Sequence, residues 1–221
     1  MVPKEILQNV FQLQYSAQTA TGFRIAVNGD NFIVTAKHLF PKTITHKSEV
    51  QFEVSKHGKW VSLTATYLVH TIDEIDIAVL RLKTKELKES TFEIGSNGFY
   101  LSQECFFLGF PYGMKMEDKA AIFNDGFPAP FVKRGIVSSY TPGPTDVMVI
   151  YVDGLNNPGF SGGPLVVRIG TDRMQFIGVV SSYLNEKKKV KTPIGEFDTE
   201  HNTGIVVTYA SDHVLQIIEG K

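Results

Sequence analysis

Asn157-Pro158-Gly159-Phe160-Ser161-Gly162-Gly163-Pro164 is the stretch on which the reading of this chain turns. Its glycines let the backbone bend sharply and carry no Cβ to shield neighbouring amides, so the hydroxyl of Ser161 stands beside the unobstructed N–H groups of Gly159 and Ser161. A glycine-rich segment ahead of an apolar strand is also what a plain β-turn looks like. The segment therefore gains meaning from its companions.

Two lie upstream. Ile33-Val34-Thr35-Ala36-Lys37-His38 places His38 where an apolar strand runs out and a loop begins. Asp76 precedes Ile77-Ala78-Val79-Leu80-Arg81-Leu82, at the mouth of a second apolar strand, where its carboxylate can be held rather than solvated. Asp73 and Glu74 compete for that place but read as a solvated turn. Hydrolysis by a serine needs a nucleophile, a base for its proton, an acid to orient the base and donors for the developing oxyanion. Ser161, His38, Asp76 and the N–H groups of Gly159 and Ser161 are the candidates. The remaining histidines, His46, His57, His70, His201 and His213, read as surface residues. No close histidine pair and a single cysteine leave no metal-ligand spacing, and no cofactor is expected.

Around these residues, short runs of Val, Ile, Phe, Thr and Tyr between turn residues predict a mostly β protein. Strands are expected over 23–27 and 31–35, joined at Asn28-Gly29 in a tight hairpin. Others are expected over 50–54, 61–69, 77–82, 105–108, 135–139, 147–152, 165–168, 176–181 and 204–209. The polar stretch 83–97 reads as a connection across the surface. Ser-Asp-His-Val at 211–214 opens an amphipathic terminal helix, with Ser211 and Asp212 as cap candidates. Two long loops are expected, 112–133 and 184–202. The second carries Lys187, Lys188, Lys189 and Lys191, then Glu196, Asp198 and Glu200, and reads as a solvated hairpin.

With 221 residues and a formal charge of -1, the chain can bury a sizeable core and has no global field to recruit nucleic acid or an anionic membrane. Cys105 is the only cysteine, which favours a reducing, cytoplasmic setting. No apolar run approaches a membrane span, and the first residues lack an uninterrupted export core.

At these positions the sequence resembles the trypsin-like protease superfamily, from about Thr21 to the terminal helix. Thr35-Ala36-Lys37-His38 resembles its TAAH segment, Asp76-Ile77-Ala78-Val79-Leu80 its DIALL segment, and Gly159-Phe160-Ser161-Gly162-Gly163-Pro164 its GDSGGP segment, in the chymotrypsin order of His, Asp and Ser. Thr21-Gly22-Phe23, Gly109-Phe110-Pro111-Tyr112-Gly113, Gly135-Ile136-Val137-Ser138 and Asn157-Pro158-Gly159 are most similar to the disulfide-free high-temperature-requirement proteases. The resemblance implies an all-β fold of two six-stranded antiparallel β-barrels of the chymotrypsin type with a C-terminal α-helix. It places a single domain over 1–221, with the barrels at about 8–90 and 98–210 and the helix at 211–221. It also implies a serine endopeptidase acting on peptide or protein substrates.

Further implications concern individual residues. Ser181 aligns with the family serine that supports the catalytic aspartate. Leu155, six residues before the nucleophile, falls at the base of the specificity pocket, with Tyr183 and Gly204 on its walls, which favours small or medium apolar side chains before the scissile bond. Phe160 replaces the aspartate that captures a new N-terminus in trypsin-like zymogens, so other contacts or an activating partner must order the oxyanion loop. Lys37 replaces a small residue beside the base. Where the high-temperature-requirement proteases carry a PDZ domain, only the terminal helix follows the second barrel.

Overall fold

The computed structural model describes residues 2–83, 93–95, 98–115, 124–142, 147–170 and 173–220. β1 (Val10–Tyr15), β2 (Gln18–Val27), β3 (Asp30–Thr35), β4 (Glu49–Lys56), β5 (Lys59–Val69) and β6 (Ala78–Leu82) close into a barrel in the order β1-β2-β3-β6-β5-β4. β2 and β3 form the hairpin read from Asn28-Gly29, with both residues at positive φ. In β4, Val50, Phe52 and Val54 point inward between polar neighbours, the alternation of a strand with one buried face. β2 instead has an unbroken buried run from Ala20 to Ile25. One of its faces lines this barrel while the other meets the second half of the chain.

That half contains β7 (Glu93–Ile94), β8 (Glu104–Gly109), β9 (Phe131–Pro142), β10 (Met148–Asp153), β11 (Pro164–Ile169), β12 (Arg173–Thr192) and β13 (Gly195–Ala210). The order β11-β8-β9-β10-β13-β12 is closed by antiparallel pairing of β11 with β12, and β7 adds two residues parallel to β12. Phe107, Ile150, Phe160 and Leu165 fill this second barrel. A third core joins the two: Phe23 and Ile25 pack with Leu108, Phe176, Val214 and Ile217, and the Phe23 and Phe176 rings meet edge to face at 4.7 Å.

The terminal helix, Asp212–Glu219, buries Val214 and Ile217 in that shared core and ends at Gly220 in the left-handed conformation. Ser211 differs from its expected role, because its backbone is already helical and its hydroxyl makes no capping bond. His213 is not a surface residue. It is buried, and its Nε2 accepts the Met148 N–H at 3.1 Å.

β1 was not expected, although Phe11, Leu13 and Tyr15 alternate with Gln12 and Gln14 as a half-buried strand does. Tertiary structure meets half of the buried Gln12 amide, whose Nε2 donates to the Gly113 carbonyl at 3.0 Å while its Oε1 has no partner among the described residues. The loop at 184–202 continues β12 and β13 as a two-stranded ribbon. Most of the expected connection at 83–97 lies outside the described residues, as does 116–123 of the long loop at 112–133.

Candidate active site

Ala36 is fully buried at the end of β3, and a short 3₁₀ turn, Lys37–Leu39, turns His38 outward. Ile75 and Ile77, both wholly buried, hold Asp76 between them. The carboxylate then reaches His38 twice. Its Oδ1 accepts the His38 backbone N–H at 2.9 Å, and its Oδ2 lies 2.7 Å from His38 Nδ1. Oδ2 also accepts the Ser181 hydroxyl, 2.5 Å away and 105 residues on in sequence.

Burial works to raise the Asp76 pKa, but the hydrogen bond and charge of His38, with the Ser181 and backbone bonds, outweigh it and hold the carboxyl below its ordinary value. The bond to Asp76 raises the His38 pKa above its ordinary 6.5, against the opposing effect of burial. Lys37 turns away to Asp73, donating to its Oδ1 at 2.9 Å and to its carbonyl. The competitor carboxylate thus pairs with the cation next to His38.

Each peptide plane of the Ser161 loop is fixed. A trans peptide carries its C=O and N–H on opposite sides, so anchoring a carbonyl also aims the N–H. The Pro158 carbonyl accepts Tyr112 N–H at 2.7 Å, which directs Gly159 N–H away from it. The Phe160 carbonyl accepts Gly163 N–H at 2.9 Å, which does the same for Ser161 N–H. Neither aimed N–H has a hydrogen-bond partner among the described residues. Glycine is required by this geometry. Gly159 has φ +102° and a Cβ there would come 2.2 Å from the Phe110 carbonyl, while Gly162 has φ +84° and its Cβ would come 2.2 Å from the Thr21 carbonyl. Ser161 Oγ donates to the Ser181 carbonyl at 2.8 Å rather than to His38. His38, Asp76 and Ser181 form one bonded chain, and Ser161 joins it through the Ser181 backbone.

Residues 20–179 match the family described as the trypsin-like peptidase domain, a span that contains His38, Asp76 and Ser161. The chain belongs to that family. Relatives of this peptidase domain include the magnetosome formation protease MamE of Paramagnetospirillum magneticum, 26% identical over 155 residues, which are 68% of this chain and 19% of MamE. The match thus spans about a fifth of that curated relative. Among solved structures, the inactive form of the Rv3671c protease superposes with a TM-score of 0.60 at 16% identity, covering 97% of this chain and 89% of the other. The HtrA-type protease AlgW with a tripeptide gives 0.62 at 20% identity, covering 97% and 60%. Both show a shared fold.

In this trypsin-like peptidase domain, two positioning residues escaped sequence reading. Thr21, wholly buried on β2, donates its hydroxyl to the Gly159 carbonyl at 2.6 Å and accepts Phe110 N–H at 3.1 Å, and its N–H meets the Ser161 carbonyl at 2.9 Å. The first barrel thereby grips the loop carried by the second. A polar residue in the buried run of β2 was the signal available. Lys133 on β9 donates to the Leu155 carbonyl at 2.5 Å and to Asn157 Oδ1, with its ammonium 5.3 Å from the centre of the buried Phe160 ring. Burial lowers its pKa.

Leu155 differs from an enclosed pocket floor. With its carbonyl drawn to Lys133, the residue is 56% exposed. The buried neighbour is Asn156, whose amide donates to the Ser182 carbonyl at 3.2 Å and whose Oδ1 has no partner among the described residues. Tyr183 is half-buried on β12 and Gly204 lies where β13 leaves the barrel. Asp153 pairs in register with Ile205 and its side chain is exposed.

Proposed function

We propose that this peptidase is a serine endopeptidase working through an acyl-enzyme, with Ser161 as nucleophile, His38 as general base and acid, and Asp76 orienting His38. The observation that carries the reading is the bonded chain from Ser181 Oγ through Asp76 Oδ2 to His38 Nδ1. With Nδ1 committed to the carboxylate, the ring proton resides there, and Nε2 is free to take the Ser161 proton. Ser161 Oγ then bonds to the substrate carbonyl carbon. The carbonyl oxygen becomes an oxyanion received by the N–H groups of Gly159 and Ser161, and His38 returns the proton to the departing amine. Water repeats the sequence to release the acid. To enter this cycle Ser161 exchanges its bond to the Ser181 carbonyl for one to His38, a rotation between staggered positions about Cα–Cβ.

Lys133 and Thr21 support the view that this chain orders its own oxyanion loop, in place of the ion pair that Phe160 cannot make. The two barrels work as one domain in this reading, with the cleft chemistry divided between them. Small or medium apolar side chains before the scissile bond would lie against Leu155, Tyr183 and Gly204 in a shallow site. The buried, unpaired Cys105 supports a reducing, cytoplasmic setting. Among the described residues, no helix is long and apolar enough to cross a membrane.

The resting bond from Ser161 to the Ser181 carbonyl favours a second reading, a latent domain that docks peptide or awaits an activating partner. Labelling of the purified chain by a fluorophosphonate separates the two. Labelling that disappears in Ser161→Ala supports the endopeptidase, whereas a folded wild type that stays unlabelled supports the latent form.

A further inference from the structure

Beyond the second barrel, β12 and β13 continue paired from Asn185 with Asn202 to Thr192 with Gly195. Among the described residues, β11 leaves β12 at Val179 and β10 leaves β13 at Ile205, so the ribbon has an open edge on each side. The two edges are not equivalent. The edge along β12 starts at Ser181, whose carbonyl holds the Ser161 hydroxyl, and from there it runs outward through 192. It is continuous with the reacting centre.

Charge is divided between the strands. β12 carries Lys187, Lys188, Lys189 and Lys191 against Glu186 alone, while the facing part of β13 carries Glu196, Asp198 and Glu200. Register puts Lys187 opposite Glu200, Lys189 opposite Asp198 and Lys191 opposite Glu196. Directly opposed residues share a face, so one face of the ribbon is a ladder of three lysine–acid pairs, two of them with N–O separations of 3.6 and 3.1 Å. The other face presents Val190 opposite Phe197, both largely exposed, and Ile194 at the tip is 87% exposed. An isolated two-stranded ribbon is marginal in water, and a third strand completes it.

We infer that the β12 edge is a substrate-docking arm, onto which an extended, acidic segment of the substrate adds as a third strand while the scissile bond lies at Ser161. This rests on the endopeptidase reading. Acidic side chains on the added strand would stand next to Lys187, Lys189 and Lys191 and extend the ladder. Its alternate residues would stand beside Val190, one strand in from Phe197. Antiparallel addition, the arrangement β12 already has with β11 and β13, sends the N-terminal flank of the substrate outward along the arm. At about 3.3 Å per residue, the lysines would meet positions roughly seven to eleven residues before the scissile bond. The same lysines repel the β12 edge of another copy, which keeps the open strand from self-association.

The test uses a short peptide cleaved by the full chain, and the same peptide lengthened at its N-terminus by twelve residues that alternate Val with Glu, Ala or Lys. The Glu extension should lower KM about tenfold relative to Ala at low salt with kcat unchanged, and the gain should fade at high salt. A charge-swapped chain combines Lys187→Glu, Lys189→Glu and Lys191→Glu with Glu196→Lys, Asp198→Lys and Glu200→Lys. It keeps the net charge and all three pairs but inverts the polarity of each edge. It should cleave the short peptide normally and prefer the Lys extension. Equal KM for all three extensions, or a Glu preference that survives the swap, would overturn the inference. If the wild type cleaves no short peptide, the endopeptidase reading has failed by itself. Fluorescence anisotropy of the labelled extensions on both chains then decides the arm on the same criterion.

Discussion

Replacing Thr21 by Val removes one hydroxyl and keeps the shape of the side chain. That hydroxyl bridges two buried backbone groups, the Gly159 carbonyl at 2.6 Å and the Phe110 N–H at 3.1 Å. A buried polar group left without its partner costs about 1–3 kcal/mol, so with two such groups Thr21→Val should destabilise the fold by about 2–6 kcal/mol. Thr21→Ser loses only a methyl group, about 1 kcal/mol, and keeps both bonds. Freed from Thr21, the Gly159–Phe160 plane keeps only the Phe160 N–H bond to the Asn157 carbonyl at 3.3 Å, and as it turns it pulls on the adjoining Pro158–Gly159 plane and loosens the aim of the Gly159 N–H. Loss of a whole oxyanion donor costs roughly 10²–10³-fold in rate, so a loosened one should slow fluorophosphonate labelling by about 10–100-fold. Urea unfolding measures the first effect, and labelling rates at a temperature where both variants remain folded measure the second. Thr21 does not hold the loop if Thr21→Val stays within about 0.5 kcal/mol of wild type, the scatter ordinary for an uninvolved site, and labels at the same rate.

Four other outcomes follow from the same geometry. Because Asp76 raises the His38 pKa, kcat/KM should rise with pH through a value above 6.5; in Asp76→Asn that limb should move to lower pH and the plateau should drop, by about 10³-fold or more if the residues act as a triad. The His38 contribution to stability is present below its unfolded pKa and lost as pH rises through the raised one, while that of Asp76 is present above its unfolded pKa and lost as pH falls through the depressed one, which pH-dependent urea melts would register. Lys133→Met should slow labelling about tenfold and abolish an alkaline limb that lies below the usual lysine range, with Lys133→Arg restoring part of the rate; an identical profile in Lys133→Met would show that the ammonium does not order the loop. A peptide library should show faster cleavage after Ala, Val or Leu than after Lys or Arg, and Leu155→Asp, at an exposed position, should shift the preference towards basic residues in a salt-dependent way.

The amino-acid sequence determined what depends on neighbours along the chain. Runs of β-branched and aromatic residues between turn residues placed the strands, Asn28-Gly29 set a hairpin, and glycines at 159, 162 and 163 marked a backbone that must turn tightly around Ser161. The same local logic put His38 and Asp76 at strand ends, where polar groups can meet a cleft. It failed where a residue answers to a distant partner. His213 is buried because Met148 supplies its hydrogen bond, and Gln12 is buried in β1 with its amide on the Gly113 carbonyl. Only the tertiary structure decided that Asp73 pairs with Lys37, that Leu155 stands exposed while Asn156 turns inward, and that Lys133 braces the loop that Phe160 enters. Thr21 and the Gly159 carbonyl that it holds are 138 residues apart, on different barrels. No periodicity links such positions. Strand patterns record which face of each segment is buried, whereas the partner across the cleft is chosen by how two separately closed barrels pack against one another.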